Sequence, residues 1–450
     1  MANTYLKKNI GSPNQQKFTW SVWVKRSKIG VEHHLAGNFV DGNNRTHLFF
    51  HGGNNTLRFY SELSGSQVIM YETNRKFKDV NAWYHIMCAV DTTQGGGNRI
   101  KFYINGVRET SLLQTTECNQ NTNLSIGGNH YIGTYGGAAG NGSYSLEGCM
   151  SHVHFIDGTA YDSSSFGSID SVTGHWQINT TPSVTYGSSG YFILKDGNST
   201  ADVSPNNNTF TISGGTLTKT EDSPSNNWVT FNSVSNNSSV TFVNGNTTVS
   251  SASTSWKRAI AGLGNNSGKW YWEVKRASSG TPYIKAGMIE ELGQTANMPS
   301  HEHHADNAYG WAWYVNGGTL ELRTNQAVIS GFSQSDLGNT TIANGDIICV
   351  ALDLDNGRLH ARKNNGSWFK SGNPTAGSGG YSIANFSANT KFYFPACSVY
   401  ATTTAQHNFG NGFFGTTAVS SAGTNASGFG IFEFDVPAGF TALTTKGLNL

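Results

Sequence analysis

Short runs with an apolar residue at every second position, each closed by glycine, asparagine or aspartate, recur along this chain and restrict it to β structure. In Phe18-Thr19-Trp20-Ser21-Val22-Trp23-Val24, the residues Phe18, Trp20, Val22 and Val24 share one face, because successive side chains of a strand point to opposite sides. Trp83 through Val90 is a nearly continuous apolar run, as expected inside a sandwich. Asp91 through Gly97 then turns the chain, and Ile100 through Ile104 is the next strand. Asn105-Gly106 follows at once, the strongest short signal for a hairpin. Met150 to Ile156 predicts a further strand, which ends at Asp157-Gly158.

Composition agrees with an all-β fold class. Only 13% of the residues are charged, against about 25% in an average globular protein, and the deficit falls on Lys and Glu, which favour helices. The chain has 54 glycines and many Asn, Ser and Thr, residues that serve turns and pleated surfaces. Aromatic residues, at 12%, supply the bulky core groups that a disordered polar chain lacks.

Charge and targeting features narrow the partners. With 29 basic and 28 acidic residues the net charge is +1 and no Lys/Arg-rich stripe stands out, so no nucleic acid is expected as a partner. Cys88, Cys118, Cys149, Cys349 and Cys397 are odd in number and form no CxxC pair. Cys88, Cys349 and Cys397 sit in apolar strand-like runs as small buried hydrophobes, which fits folding in a reducing place. The opening Met-Ala-Asn-Thr-Tyr-Leu-Lys-Lys-Asn has no apolar signal core. No stretch approaches the roughly 18 apolar residues of a spanning helix. The expectation is a soluble chain made in a cytoplasm, without membrane insertion. Asn-x-Ser/Thr triplets such as Asn236-Asn237-Ser238 would then carry no glycan.

From about Ser163 to Asn226 the chain is rich in Ser, Thr and Asn, with one clear apolar strand at Tyr191-Phe192-Ile193-Leu194. This segment reads as a connector or as closing strands of the first unit. Alternation resumes at Trp228-Val229-Thr230-Phe231 and continues to about Phe414, beyond which lies a Gly/Ser/Thr tail. No heptad run supplies a coiled coil.

Two family resemblances follow from these segments. Residues 18–166 resemble the concanavalin A-like, laminin-G-like sandwich found in many phage structural proteins. The resemblance is carried by Phe18 to Lys25, Trp83-Tyr84-His85-Ile86, Asp91 to Val107 and Tyr144 to Phe166, which includes Asp157-Gly158, Asp162 and Phe166. Residues 226–414 look like a SPRY domain, through Gly268-Lys269-Trp270-Tyr271-Trp272-Glu273-Val274, Gly310-Trp311-Ala312-Trp313-Tyr314, the hairpin Asn344 to Gly357, Lys363 to Trp368, and His407-Asn408-Phe409-Gly410. Pro437 to Leu443 resembles the closing tail of phage structural proteins with this two-part layout. The resemblances imply two antiparallel, jelly-roll-like β-sandwich domains, concanavalin A-like over 1–166 and SPRY-like over 226–414. Residues 167–225 would be the connector or closing strands, and 415–450 the C-terminal tail. They also imply partner binding, with sugars or calcium common for the first type, and neither implies catalysis. A shared fold does not by itself fix a function.

Candidate sites come from residue chemistry. Sugar binding needs exposed rings for stacking beside amides and hydroxyls. Asn129, His130, Tyr131, Tyr135, Asn141 and Tyr144, in a glycine-rich loop, supply those types, as does Phe39 to His47. The plainer alternative is a glycine-rich hairpin with ordinary surface aromatics. His301, His303 and His304, with Glu302 and Asp306 nearby, form the densest group of metal-capable side chains; zinc or nickel could use two or three of them. Their spacing is not that of His-Glu-x-x-His, and a solvated loop is the plainer alternative. His33-His34 is a weaker pair. Asp41, Asp91 and Asp157 lie in or beside turns and could offer oxygen to calcium, although turn aspartates are common without a metal. No other cofactor is expected.

The remaining residues argue against chemistry. Trp270 and Trp272, like Trp311 and Trp313, alternate on one strand face and read as core. Glycosidases on a concanavalin-like fold need carboxylates projecting into the groove. Phe432-Glu433-Phe434-Asp435 offers two, read as the exposed edge of a tail strand, while the adjacent Glu290 and Glu291 point to opposite faces. The expectation is therefore a non-enzymatic phage virion surface protein, a tail or head fibre or appendage. It would recognise a host surface glycan or protein and form homo-oligomers among other virion proteins. The alternative is a capsid or tail decoration or connector protein with a purely structural role.

Overall fold

The computed structural model describes residues 4–136, 144–195, 197, 199–234, 240–278, 280, 283–295 and 303–447. The chain forms two compact units, Met1–Lys219 with Ser223–Ser225, and Thr220–Asp222 with Asn226–Leu450. Both are built from antiparallel β-sheets, as the alternating pattern requires.

In the first unit, an eight-stranded sheet runs in the order Leu112–Thr116, Ser66–Lys76, Thr56–Leu63, Asn44–Phe50, His33–Asp41, Asn129–Ile132, Tyr5–Asn9, Thr211–Ser213. The six-stranded sheet runs Tyr191–Ile193, Gly148–Asp157, Lys17–Arg26, Tyr84–Asp91, Ile100–Ile104, Val107–Glu109. Phe18, Trp20, Val22 and Val24 all enter the core between the sheets, with Leu48, Phe59, Ile86 and Phe155. The continuous apolar run of Tyr84–Asp91 has a physical reason. Ile86, Cys88 and Val90 face this core, whereas Met87 and Ala89 join Ile156, Phe166, Tyr186 and Phe192 in a further apolar layer. The strand is buried on both faces, so neither face needs polar residues.

Asn105 and Gly106 both take positive φ, at 47° and 80°, and bring Val107 opposite Ile104, the geometry of a tight two-residue hairpin. Beyond 166, Tyr191–Ile193 pairs with Gly148–Asp157, and Thr211–Ser213 pairs with Tyr5–Asn9. This segment adds an edge strand to each sheet of the first unit.

In the second unit, a seven-stranded sheet has the order Thr241–Val243, Thr248–Ser250, Thr404–Asn408, Lys269–Arg276, Ile347–Asp353, Arg358–Lys363, Tyr381–Ser382. It faces a six-stranded sheet ordered Lys257–Ile260, Tyr393–Val399, Tyr283–Glu290, Gly310–Asn316, Thr319–Thr324, Ala327–Val328. Trp270, Trp272, Trp311 and Trp313 all lie in the core between them, as their alternation predicts, together with Val350, Leu352 and Leu354. Trp228 to Phe231 is not a regular strand; it makes single bridges, Trp228 to Thr444 and Phe231 to Ala261.

The C-terminal segment differs from its reading as a tail. Phe414, Phe432, Val436, Phe440 and Ala442 pack on the outward residues Tyr271, Ile347, Cys349 and Ala351 of the seven-stranded sheet. The glycines and serines between these anchors disguise a spaced apolar set that closes a third layer. Among the described residues, no helix is long and apolar enough to cross a membrane.

Candidate functional site

On the outward face of the eight-stranded sheet, aromatic rings surround one ion pair. Strand Asn44–Phe50 sends Leu48 and Phe50 inward, so Arg45, His47 and Phe49 point outward. Across the sheet Arg45 pairs in register with Glu62, and His47 with Tyr60. Arg45 Nη2 meets Glu62 Oε2 at 2.6 Å, and the Tyr60 hydroxyl donates to the same oxygen at 2.7 Å.

After strand Asn129–Ile132 the chain folds back over this face. The Tyr135 ring stacks on His47 at 4.7 Å, and its hydroxyl accepts from Arg45 Nη1 at 2.6 Å. The guanidinium lies 5.7 and 5.8 Å from the ring centres of Tyr60 and Tyr135. His34 stacks flat on Phe49 at 4.6 Å and stands edge-on to Tyr135 at 5.1 Å. Tyr144, 54% exposed, lies 6.1 Å from Tyr135.

The rings of this platform are uncharged, set around the Arg45–Glu62 pair and beside the Glu32 carboxyl, which meets His34 Nε2 at 2.8 Å. Burial pushes His34 down to about 3 and His47 well below the usual histidine range, so both rings are uncharged at neutral pH. Burial also raises the phenols of Tyr60 and Tyr135, which keeps them as hydroxyl donors and acceptors. Rings for stacking, hydroxyls and one fixed ion pair are the ingredients for holding a neutral polar ring.

The structure places the predicted sugar-contact residues on different sides. Tyr135 and Tyr144 belong to the platform, and Asn141 lies outside the described residues. His130 is a correction. Asn129–Ile132 is a strand rather than a loop, and its alternation turns His130 into the core against Trp20, Phe155 and Tyr191. There it bonds the Ile126 carbonyl at 2.9 Å and the Tyr191 hydroxyl at 3.2 Å, and burial lowers it to about 4. Tyr131 is buried too, against Tyr5 and under Lys7. Asn129 is half-buried, and its carbonyl accepts from Asn38. Arg45 and His47 fall inside the expected Phe39 to His47 segment, whereas Tyr60 and Glu62 escaped sequence reasoning. The signal was the outward alternation of Arg45, His47 and Phe49, which only the register with Tyr60 and Glu62 turns into a site.

The expected metal groups are dispersed. His301 lies outside the described residues. His303 and His304 are not on a solvated loop: both are buried. His303 Nε2 meets Asp306 Oδ1 at 2.6 Å, while His304 Nδ1 bonds Ser398 Oγ at 2.8 Å. Two neighbouring imidazoles thus serve different partners. Asp41 and Asp91 accept the backbone N–H groups of Asn43 and Thr93, which fixes their turns, and Asp157 accepts that of the distant Asn14. Among the described residues, no group of three or more His, Cys, Asp or Glu is arranged to hold a metal ion.

Glu433 and Asp435 lie in a loop, not a strand. Glu433 accepts from Ser420 and Asp435 from Thr424, so each carboxylate holds a local turn. One serine–histidine pair, Ser21 Oγ to His85 Nε2 at 2.8 Å, invites a catalytic reading. The Trp176 indole N–H donates to His85 Nδ1 at 3.1 Å. With that nitrogen accepting, the ring proton sits on Nε2 and points at the serine. His85 therefore has no lone pair free to take the hydroxyl proton. It is instead the middle layer of a stack, 5.1 Å from Trp23 and 5.9 Å from Trp176.

This chain is a two-module β-sandwich protein. Its modules are a concanavalin A-like domain and, after it, a SPRY domain. Residues 2–163 match the family model described as the concanavalin A-like lectin/glucanases superfamily, and residues 269–412 match that of the SPRY domain. Among solved structures, the chain is similar to the SPRY domain of human HERC1, at 14% identity over 39% of this chain and 96% of that one, with a TM-score of 0.30. It is also similar to the native heptameric SAP-like pentraxin from Limulus polyphemus, at 14% identity over 48% and 90%, with a TM-score of 0.31. A third is the TRIM65 PSpry domain, at 15% identity over 40% and 89%, with a TM-score of 0.27. No curated protein matches the chain.

Proposed function

We propose that this is a non-enzymatic phage virion surface protein, a tail or head fibre or appendage, that recognises a neutral glycan on the host surface. The observation that carries the recognition step is the platform of Tyr60, Tyr135 and Tyr144 around the Arg45–Glu62 pair. A sugar ring offers apolar C–H faces to such rings and hydroxyls to such polar groups. The fibre assignment is supported by the resemblance of the two-part layout, closing segment included, to phage structural proteins. Multiple copies on a particle would raise a weak single-site affinity into firm attachment.

The test is binding of the labelled chain to a printed array of neutral and acidic oligosaccharides, beside a Tyr135→Ala/Tyr144→Ala variant. The expected result is saturable binding to neutral glycans that the double variant loses while still unfolding in one cooperative transition. Silence on the array, or equal binding by a folded double variant, sinks the reading.

A second reading, a structural decoration or connector protein, is favoured by one feature. The hairpin Gly167–Ile169 and Trp176–Ile178 carries Ile169 at 63% and Val172 at 90% exposure. A protruding apolar pair of this kind suits packing on a neighbouring virion subunit or a second copy.

A further inference from the structure

In the second unit, the outward face of the six-stranded sheet holds a cation that, among the described residues, has no carboxylate partner. On strand Tyr283–Glu290, Ile284 and Ala286 enter the core, so Lys285 points outward. It is only 1% exposed. Its ammonium lies 4.1 Å from the ring centre of Trp256 and 5.0 Å from that of Tyr314. Tyr400 completes a collar, 5.5 Å from Trp256 and 5.4 Å from Tyr283.

The acids that act on Lys285 are already engaged. Asp306 is held by His303 at 2.6 Å, and Glu321 by Arg323 at 2.6 Å. Among the described residues, Lys285 therefore has aromatic faces and no ion pair. Burial brings its ammonium down to about 7. Rings attract a cation only modestly, and a desolvated ammonium still gains from a charge-assisted bond to an oxyanion.

We infer that this collar binds an acidic saccharide, with the carboxylate of a uronic-acid ring paired to Lys285 Nζ and the ring's C–H face against Trp256, Tyr283 and Tyr400. Those three rings are half-buried, so each keeps an accessible surface. Strand Tyr283–Glu290 is bonded on both sides and has no free edge to which an extended peptide could add as a strand. The site is independent of the tyrosine platform in the first unit.

The test is an NMR titration of the full chain with sodium glucuronate, with glucose and acetate as controls, at slightly acid pH where Lys285 holds its proton. Glucuronate should bind saturably and both controls much more weakly. Lys285→Met should weaken glucuronate about thirtyfold, the low end for removing one partner of a buried charge pair. The variant should melt at the wild-type temperature or above, since an apolar side chain of similar length suits the site. Tyr135→Ala should leave glucuronate binding unchanged. Absence of saturable binding, equal binding of glucose, preference for a glutamate-containing peptide, or undiminished binding by folded Lys285→Met overturns the inference. Should Lys285→Met fail to fold, Tyr400→Ala decides, since it keeps the cation and removes one wall: weaker binding supports the site and unchanged binding overturns it.

Discussion

The carboxyl of Glu273 lies on the outward face of the seven-stranded sheet, fully buried beneath the C-terminal segment. It accepts the backbone N–H groups of Glu433 and Phe434 at 2.9 Å each, the Tyr271 hydroxyl at 3.1 Å and the Asn408 amide at 3.2 Å. Burial outweighs these donors and raises the carboxyl from 4.5 to about 7. The folded chain thus holds this proton more tightly than the unfolded one. The resulting stability is fully present below pH 4.5 and drains away as pH rises through about 7. A shift of this size corresponds to at most about 3 kcal/mol. Melting temperature should fall across that window, and Glu273→Gln should abolish most of the slope. The amide must turn its NH2 toward one backbone donor, so the variant should also lose about 1–3 kcal/mol at acid pH. A variant with the wild-type slope would assign the pH dependence elsewhere. At this scale the sequence was legible where alternation decides: the four tryptophans Trp270, Trp272, Trp311 and Trp313 are core. It was not legible for His130 or Glu273, whose burial depends on segments far along the chain, Tyr191 for the one and Glu433 and Phe434 for the other.

The hairpin at Asn105-Gly106 shows how one element locks a neighbouring one. Gly106 has φ +80°, and a Cβ there would stand 2.2 Å from the Trp176 ring, the ring that closes the stack on His85. Gly97 has nearly the same backbone, φ +77°, but opens onto free space. Gly97→Ala should cost only the left-handed backbone term, about 1–2 kcal/mol. Gly106→Ala adds a clash with Trp176 and should cost about 2–4 kcal/mol in denaturant unfolding. Equal losses would mean that the indole yields freely. Strand pairs joined by such turns were readable because Asn-Gly and the apolar period agree. Strand Asn129–Ile132 was not, since its flanking glycines mimic a loop and its pairing to Tyr5–Asn9 and His33–Asp41 is long-range. The tyrosine platform was half legible for the same reason: Tyr135 and Tyr144 lie in one visible loop, whereas Arg45 and Glu62 meet only through strand register.

Both units extend beyond the segments that match their families. The first match ends at 163 and the second at 412, yet each sandwich places a third apolar layer on one sheet from residues further along. In the first unit Phe166, Tyr186 and Phe192 cover Met87 and Ala89, and Tyr191 and Phe210 enter the main core. In the second, Phe432, Val436, Phe440 and Ala442 cover Tyr271, Cys349 and Ala351. A fragment ending at residue 166 or spanning 226–414 would expose these faces to water, at roughly 25 cal/mol for each Å² of apolar surface. Large uncovered apolar patches drive association. Fragments 1–225 and 220–450 should each give a single cooperative melt and run as defined species on size exclusion. The shorter pair, 1–166 and 226–414, should aggregate or lack a cooperative transition. Folding of 226–414 with an unchanged melting temperature would show that the C-terminal segment is dispensable, and the latch at Glu273 with it.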